Sequence, residues 1–186
     1  MYQIVTIKDT IRIPPKLFSD SLEKSALEAL KQQYEGKIDK DLGVVISVMN
    51  PREISDGIII PGDEAAYHHL VFDALVFTPE MHEVIRGKVI DITEFGAFVR
   101  FGPIEGLTHI SQITDDFMSY NEKNAVLAGK ESRRVLKKED VVTARIIAIS
   151  LKNTVADSKI NLTMRQKGLG KEEWLEEKKK GKKAGK

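Results

Sequence analysis

Hydrophobic and polar positions along this chain change period several times, and each change marks an element. Residues 2 to 8 alternate as a strand does, and Ile11-Arg12-Ile13 extends the pattern until Pro14-Pro15 stops it. The period then becomes helical: with Asp20 or Ser21 as cap, Leu22, Ala26, Leu30 and Tyr34 form an i, i+4 stripe with Leu27 beside it, and Gly36 supplies the stop. Leu42 to Asn50 is a mostly apolar run of central-strand type. Glu53 to Ile60 alternates less cleanly and ends at the turn Pro61-Gly62-Asp63, and His69 to Phe77 forms the next strand, closed by Thr78-Pro79. A strand, a helix and three strands predict a small α+β unit of about 80 residues.

From about Glu83 the period is two again. In Ala97-Phe98-Val99-Arg100-Phe101, alternation sets Ala97, Val99 and Phe101 on one face and Phe98 and Arg100 on the other. Gly96 allows a tight entry and Gly102-Pro103 starts a turn before Leu107 to Ile110, predicting a three-stranded meander that carries Phe95, Phe98, Arg100 and His109. Exposed aromatics interleaved with cations suit single-stranded nucleic acid, each stacked base contributing roughly 1 to 3 kcal/mol. An aromatic cap over a barrel core gives the same pattern. Thr114 to Glu139 reads as a charged, solvated excursion with a helical turn near Asp115 to Tyr120; Arg133-Arg134 and Lys137-Lys138 within it could touch phosphate, though such pairs are more often solvated surface.

Composition narrows the function. A chain of 186 residues holds one or two domains, and with no cysteine it has neither disulfides nor thiolate metal sites. No apolar run reaches membrane-spanning length and the first residues read as a strand rather than a signal peptide, so a cytoplasmic protein without membrane contact is expected. Net charge is +1, but residues 1–80 carry 8 Lys and Arg against 13 Asp and Glu, and the excess of cations elsewhere is the lysine cluster after Glu177. Affinity for RNA therefore depends on local placement and on that tail, and is expected to be modest and salt-sensitive. His68 and His69 are adjacent and point to opposite faces of a strand, so no metal site is read there. Gly168-Leu169-Gly170-Lys171 lacks the strand and the long loop of a phosphate cradle, and no nucleophile has a catalytic setting; neither a cofactor nor a catalytic residue is expected.

The segment G-K-V-x-x-I-x-x-F-G-A-F-V followed by E-G-L-T-H-I-S resembles the five-stranded OB-fold barrel repeated in the largest small-ribosomal-subunit protein. By that resemblance VVTARIIAISL is the fourth strand and KINLTMRQ the fifth, and RNA lies across the meander on Phe95, Phe98, His109 and Lys159. Alternation along the fifth strand turns Ile160, Leu162 and Met164 inward and Lys159, Asn161, Thr163 and Arg165 outward, which adds Asn161 as a phosphate or base contact.

Beyond the barrel, MYxxxxIxDxIRIPPxLF, GxIIPGD, HxxVFDALVFxPxxxEVIxGxV and LTMRQxGLG are similar to the family of larger, E-type stalk subunits of archaeal RNA polymerase, counterparts of the seventh subunit of eukaryotic polymerase II. The resemblance implies a truncated ribonucleoprotein-like domain over 1–80, the OB-fold barrel over 81–167 and a basic tail over 168–186. It also implies that the loop Pro61, Gly62, Asp63 and Glu64 docks to the polymerase core, and that the smaller, F-type stalk subunit binds as a heterodimer partner. The barrel then guides the single-stranded transcript while the stalk supports DNA melting and elongation. Catalysis is expected in other subunits. An exosome-cap-like RNA-binding adaptor and a pure scaffold for the F-type partner are the alternative readings, set apart by domain order and by assembly.

Overall fold

The computed structural model describes residues 1–175 other than 19, 20, 123, 133, 153, 155 and 156; Asp20 as helix cap, Arg133 and the lysines after Glu177 lie outside the described residues. The chain forms two compact units, Met1–Thr78 and Pro79–Lys186.

In the first unit the strand extends through Ile13 as expected: β1 (Tyr2–Ile13) runs antiparallel to β5 (Ala66–Phe77) from Tyr2 opposite Phe77 to Ile13 opposite Ala66. The helix α1 spans Leu22–Tyr34, followed by β2 (Ile38–Asp39) and β3 (Gly43–Ile54), which flanks β5 on its other side. Sequence alternation over 53–60 reduces to β4 (Ile58–Ile59), a two-residue strand on β5. Ala26, Ala29 and Leu30 of α1 close over Ile11, Ile13, Val45, Val48, Leu70, Phe72, Ala74 and Val76. The buried stripe is thus 25, 26, 29 and 30, with Leu22 47% exposed. An i, i+4 series drifts about 40° per step, so Leu22 and Tyr34 fall on opposite flanks of the face centred between them. Tyr34 keeps its contact by tilting over Phe72, ring centroids 5.2 Å apart, while its hydroxyl donates to Asp9.

In the second unit β6 (Val84–Thr93), β7 (Gly96–Phe101) and β8 (Ile104–His109) form the expected meander. After a single 3-10 turn at Ile110–Gln112, the segment read as a solvated excursion with a helical turn is instead a three-stranded sheet of β9 (Met118–Asn121), β10 (Val126–Gly129) and β11 (Val135–Leu136). Asp116 draws it together: its Oδ2 accepts from Ser132 N at 2.9 Å, Ser132 Oγ at 2.7 Å and Glu131 N at 3.1 Å, contacts between residues fifteen and sixteen apart that no local pattern announces.

The chain returns through β12 (Val141–Ser150) and β13 (Lys159–Thr163); β13 runs antiparallel to β12 and parallel to β8, closing the ring β6-β7-β8-β13-β12. Register shifts at Val89/Asp91 and at Ile146/Ala148 bend β6 and β12, as closure of so small a barrel requires. Val89, Ala97, Val99, Ala144, Ile146, Ile160 and Leu162 fill the interior. The α+β class with a five-stranded barrel is as expected. Packing on the barrel continues past residue 167, however: β14 (Gly170–Lys171) pairs with Val142 and Thr143, Leu169 and Trp174 are buried, and Lys171 Nζ lies 3.1 Å from Asp140 Oδ2 and 2.8 Å from Glu173 Oε2. The sequence reads a short helix from Lys171 pinned by Trp174 and Leu175; residues 172–175 are helical and Trp174 is buried, as is Leu169.

Candidate nucleic-acid interface

Strand register assembles the outer face of the barrel. Phe98 of β7 stands opposite Leu107 of β8, and Leu107 opposite Asn161 of β13, so an aromatic ring, an aliphatic side chain and an amide form one cross-strand row. One row along, Arg100 pairs with Glu105, and Lys159 of β13 lines the same groove as Glu105. Half-buried Phe98 together with Glu105, Leu107, Lys159 and Asn161 lines an open groove of about 620 Å³. Three of the six barrel residues that the sequence singles out, Phe98, Lys159 and Asn161, therefore share one groove.

Arg100 has a different local role from the free cation expected of it: its Nε and Nη2 both approach Glu105 Oε1, at 3.1 and 2.5 Å. The pair is exposed, and pairs of this kind contribute roughly 0 to 1 kcal/mol, so an incoming phosphate competes for the guanidinium at small cost. Thr163, expected outward beside Asn161, is covered: its Oγ1 donates to Gln112 Oε1 at 2.9 Å, and the 3-10 turn after β8 folds over that end of β13.

Phe95 and His109 sit at the other end of the meander. Ile110 N donates to Phe95 O at 2.8 Å, tying the β6–β7 turn to the end of β8. The Phe95 ring is 54% exposed beside Thr93, Glu94 and Tyr120. His109 accepts at Nδ1 from Ser111 N at 3.3 Å; a backbone amide can only donate, so the ring carries its proton on Nε2, where it is a donor to solvent or ligand.

In the first unit the loop Pro61, Gly62, Asp63 and Glu64 is held from within by Asp63. Its carboxylate accepts from Arg12 Nε at 2.8 Å and Nη2 at 2.6 Å, from Tyr67 OH at 2.7 Å and from Ala65 N at 3.1 Å. The Arg12 and Tyr67 hydrogen bonds hold this carboxyl well below the ordinary carboxylate range. Asp63 is thus the organiser of the tip rather than a free contact on it. Besides the exposed Glu64, what the tip offers outward is apolar: Ile58, Ile59 and Ile60 are all exposed, Ile59 by 71%, beside Pro61 and Gly62. In the sequence these three read only as part of a strand; their position at a two-residue edge strand leaves their side chains uncovered.

Because the folded-state pKa of Asp63 is depressed, its contribution is complete above the ordinary value of 3.8 and is lost as pH falls through the folded value. Asp63→Asn is accordingly expected to speed hydrogen exchange in residues 62–65 about tenfold at neutral pH with the rest of the unit unchanged, while the native loop keeps its protection down to about pH 4. Equal exchange rates in the variant would show that the loop is held by its backbone alone.

Among the described residues there is no group of His, Asp and Glu able to hold a metal ion, and no helix is long and apolar enough to cross a membrane.

Residues 8–64 match the SHS2 domain found in the N terminus of Rpb7p/Rpc25p/MJ0397, and residues 78–154 match the S1 RNA binding domain. DNA-directed RNA polymerase subunit Rpo7 of Saccharolobus solfataricus is 42% identical over 180 residues, covering 97% of this chain and 100% of that protein. Rpo7 of Sulfolobus acidocaldarius is 42% identical over 175 residues, covering 94% of this chain and 95% of its own. DNA-directed RNA polymerase III subunit RPC8 of Bos taurus is 30% identical over 102 residues, covering 55% of this chain and 50% of that one.

Proposed function

The chain belongs to the Rpo7 family of DNA-directed RNA polymerase subunits, and from that premise we propose that it is a non-catalytic, cytoplasmic stalk subunit of an archaeal polymerase that holds the emerging single-stranded transcript on its S1 barrel. The observation that carries the RNA reading is the groove in which Phe98, Lys159 and Asn161 converge on a barrel of RNA-binding family. A ring to stack on, an ammonium for a phosphate and an amide for a base edge are what unpaired RNA requires, and none of them makes or breaks a bond. Phe95, Arg100 and His109 extend the same face. The smaller, F-type stalk subunit as heterodimer partner, and the support of DNA melting and elongation, follow from the family resemblance of the sequence motifs.

The loop Pro61, Gly62, Asp63 and Glu64 is the docking element toward the polymerase core. Its apolar flank supports that role: three uncovered isoleucines beside a rigid, internally braced turn form a pre-organised hydrophobic anchor. Tagged full-length protein taken through an archaeal extract and a salt wash is expected to retain the smaller stalk partner and the core. Ile59→Asp should lose the core and keep the smaller partner. Recovery of exosome components in place of polymerase would overturn the stalk role, and undiminished core recovery with Ile59→Asp would overturn the docking role of the tip.

A further inference from the structure

Phe117 is 68% exposed, more than Phe95, yet it is not loosely held. Lys130 N donates to the Phe117 carbonyl at 3.0 Å, and the Lys130 ammonium lies 4.5 Å from the centre of the Phe117 ring. Immediately before it, Asp116 is fixed by Glu131 and Ser132. The approach of Asp116 depends on Gly129, where a Cβ would come within 2.4 Å of Asp116 Oδ2 and 2.6 Å of Ser132 Oγ. An ordered aromatic ring displayed to water, with a cation against one face, is costly to maintain for stability alone, since it leaves apolar area unburied.

The surroundings indicate the ligand. Phe117 lines an open depression of about 370 Å³ together with Ser111, Thr114 and Arg165. Ser111 is the residue that hydrogen-bonds His109 Nδ1, so this depression adjoins the end of the meander that carries His109. Two carboxylates share the lining, and both already face a donor: Asp115 accepts from Arg165 Nε at 2.6 Å, and Asp116 from the backbone of the next turn. The cation left to face a ligand within the depression is Arg165, through its remaining guanidinium hydrogens, while the Lys130 ammonium stands against the Phe117 ring outside the lining.

We propose that Phe117 is a second base-stacking station of the barrel, with Lys130 set for the adjacent phosphate, so that a transcript engaged in the Phe98 groove continues past His109 onto this inserted sheet. The inference rests on the RNA-binding reading of the groove. Lys130 covers one ring face and fixes the ring, a base takes the other, and no base identity is demanded, since every base has a π-face.

The test is fluorescence anisotropy of the full chain with single-stranded RNA of about 6 and about 16 nucleotides, lengths that bracket the span one such barrel occupies. Phe117→Ala is expected to weaken the longer RNA about tenfold and leave the shorter one unchanged, with an unaltered thermal melt. Phe117→Trp should restore the longer RNA, and Lys130→Glu should weaken it and flatten its log-salt slope by about 0.7. The Phe98→Ala, Lys159→Glu double variant should weaken both lengths. If Phe117→Ala binds both lengths as the native chain does while the double variant is impaired, the second station is overturned and the groove stands. If the double variant binds both lengths normally as well, the RNA reading itself fails and this inference with it. Unchanged RNA binding by Phe117→Ala, accompanied by loss of polymerase from the affinity-purified complex, would overturn the station by assigning the ring to a protein contact.

Discussion

Phe98→Ala combined with Lys159→Glu is expected to weaken single-stranded RNA binding by about a hundredfold while leaving assembly with the polymerase intact. Removing one stacked base costs roughly 1 to 3 kcal/mol, and because Phe98 is already half-buried the lower part of that range, about tenfold, applies. Reversing Lys159 removes a phosphate contact and adds repulsion, about another tenfold at low salt, and should reduce the log-salt slope by about 0.7, the share of one phosphate. The new carboxylate enters the groove that Glu105 also lines and adds to the negative charge there. Both substituted side chains lie on the outside of the barrel, whose interior is filled by Val99, Ile160 and Leu162, so the melt of the second unit should move little. The measurement is a salt titration of RNA affinity alongside recovery of the polymerase. Unchanged RNA affinity with failed assembly would mean that the face is covered by protein and that the chain acts as a scaffold.

How far this face was legible depends on the range over which each interaction acts. Alternation within β7 and β13 is local, and it assigned the outward positions of Phe98, Lys159 and Asn161 and the inward ones of Ile160, Leu162 and Met164 from residue order alone. The convergence of Phe98 with Asn161 requires the parallel β8–β13 register between segments distant in the chain, and it came into view only through the family resemblance. Interactions set by cross-strand partners escaped a strand-by-strand reading: Arg100 finds Glu105 across a hairpin, Thr163 is covered by Gln112, and Asp63 is claimed by Arg12 fifty-one residues earlier. The sheet of β9, β10 and β11 escaped for another reason. Its strands are two to four residues long, too short to establish a period, and the side chain that gathers them, Asp116, is one of many acids in a charged stretch. Phe117 followed it out of sight, since an aromatic residue inside an apparent helical turn does not announce that it will be displayed.

The second large effect concerns the turn that carries Phe95. Gly96→Ala is expected to destabilise the barrel by about 3 to 5 kcal/mol, two causes acting together. Gly96 has φ of +152°, in the region that side chains rarely adopt, and a Cβ there would lie 2.1 Å from the Thr108 carbonyl oxygen and 3.0 Å from His109 Cα. Those are backbone atoms of β8, held by the Gly96–His109 and Ala97–Thr108 pairing, so neither can give way without opening the hairpin. Gly168→Ala separates the causes, because Gly168 lies in the same unit and also has positive φ, +88°, but nothing within 4 Å of a Cβ; there only the backbone strain remains, about 1 to 2 kcal/mol. Trp174, the chain's one tryptophan and buried on the barrel with Arg134 over its ring, reports the unfolding of this unit by fluorescence. At roughly 4 to 8 °C per kcal/mol for a unit of this size, Gly96→Ala should lower the Trp174 melting temperature by about 12 °C or more, whereas Gly168→Ala should lower it by less than half as much. A shift of only a few degrees would mean that the β6–β7 turn relaxes around the added methyl group. In that case Phe95 and His109 would be carried on a compliant hairpin, and a stacking face built on it could not be pre-organised for RNA.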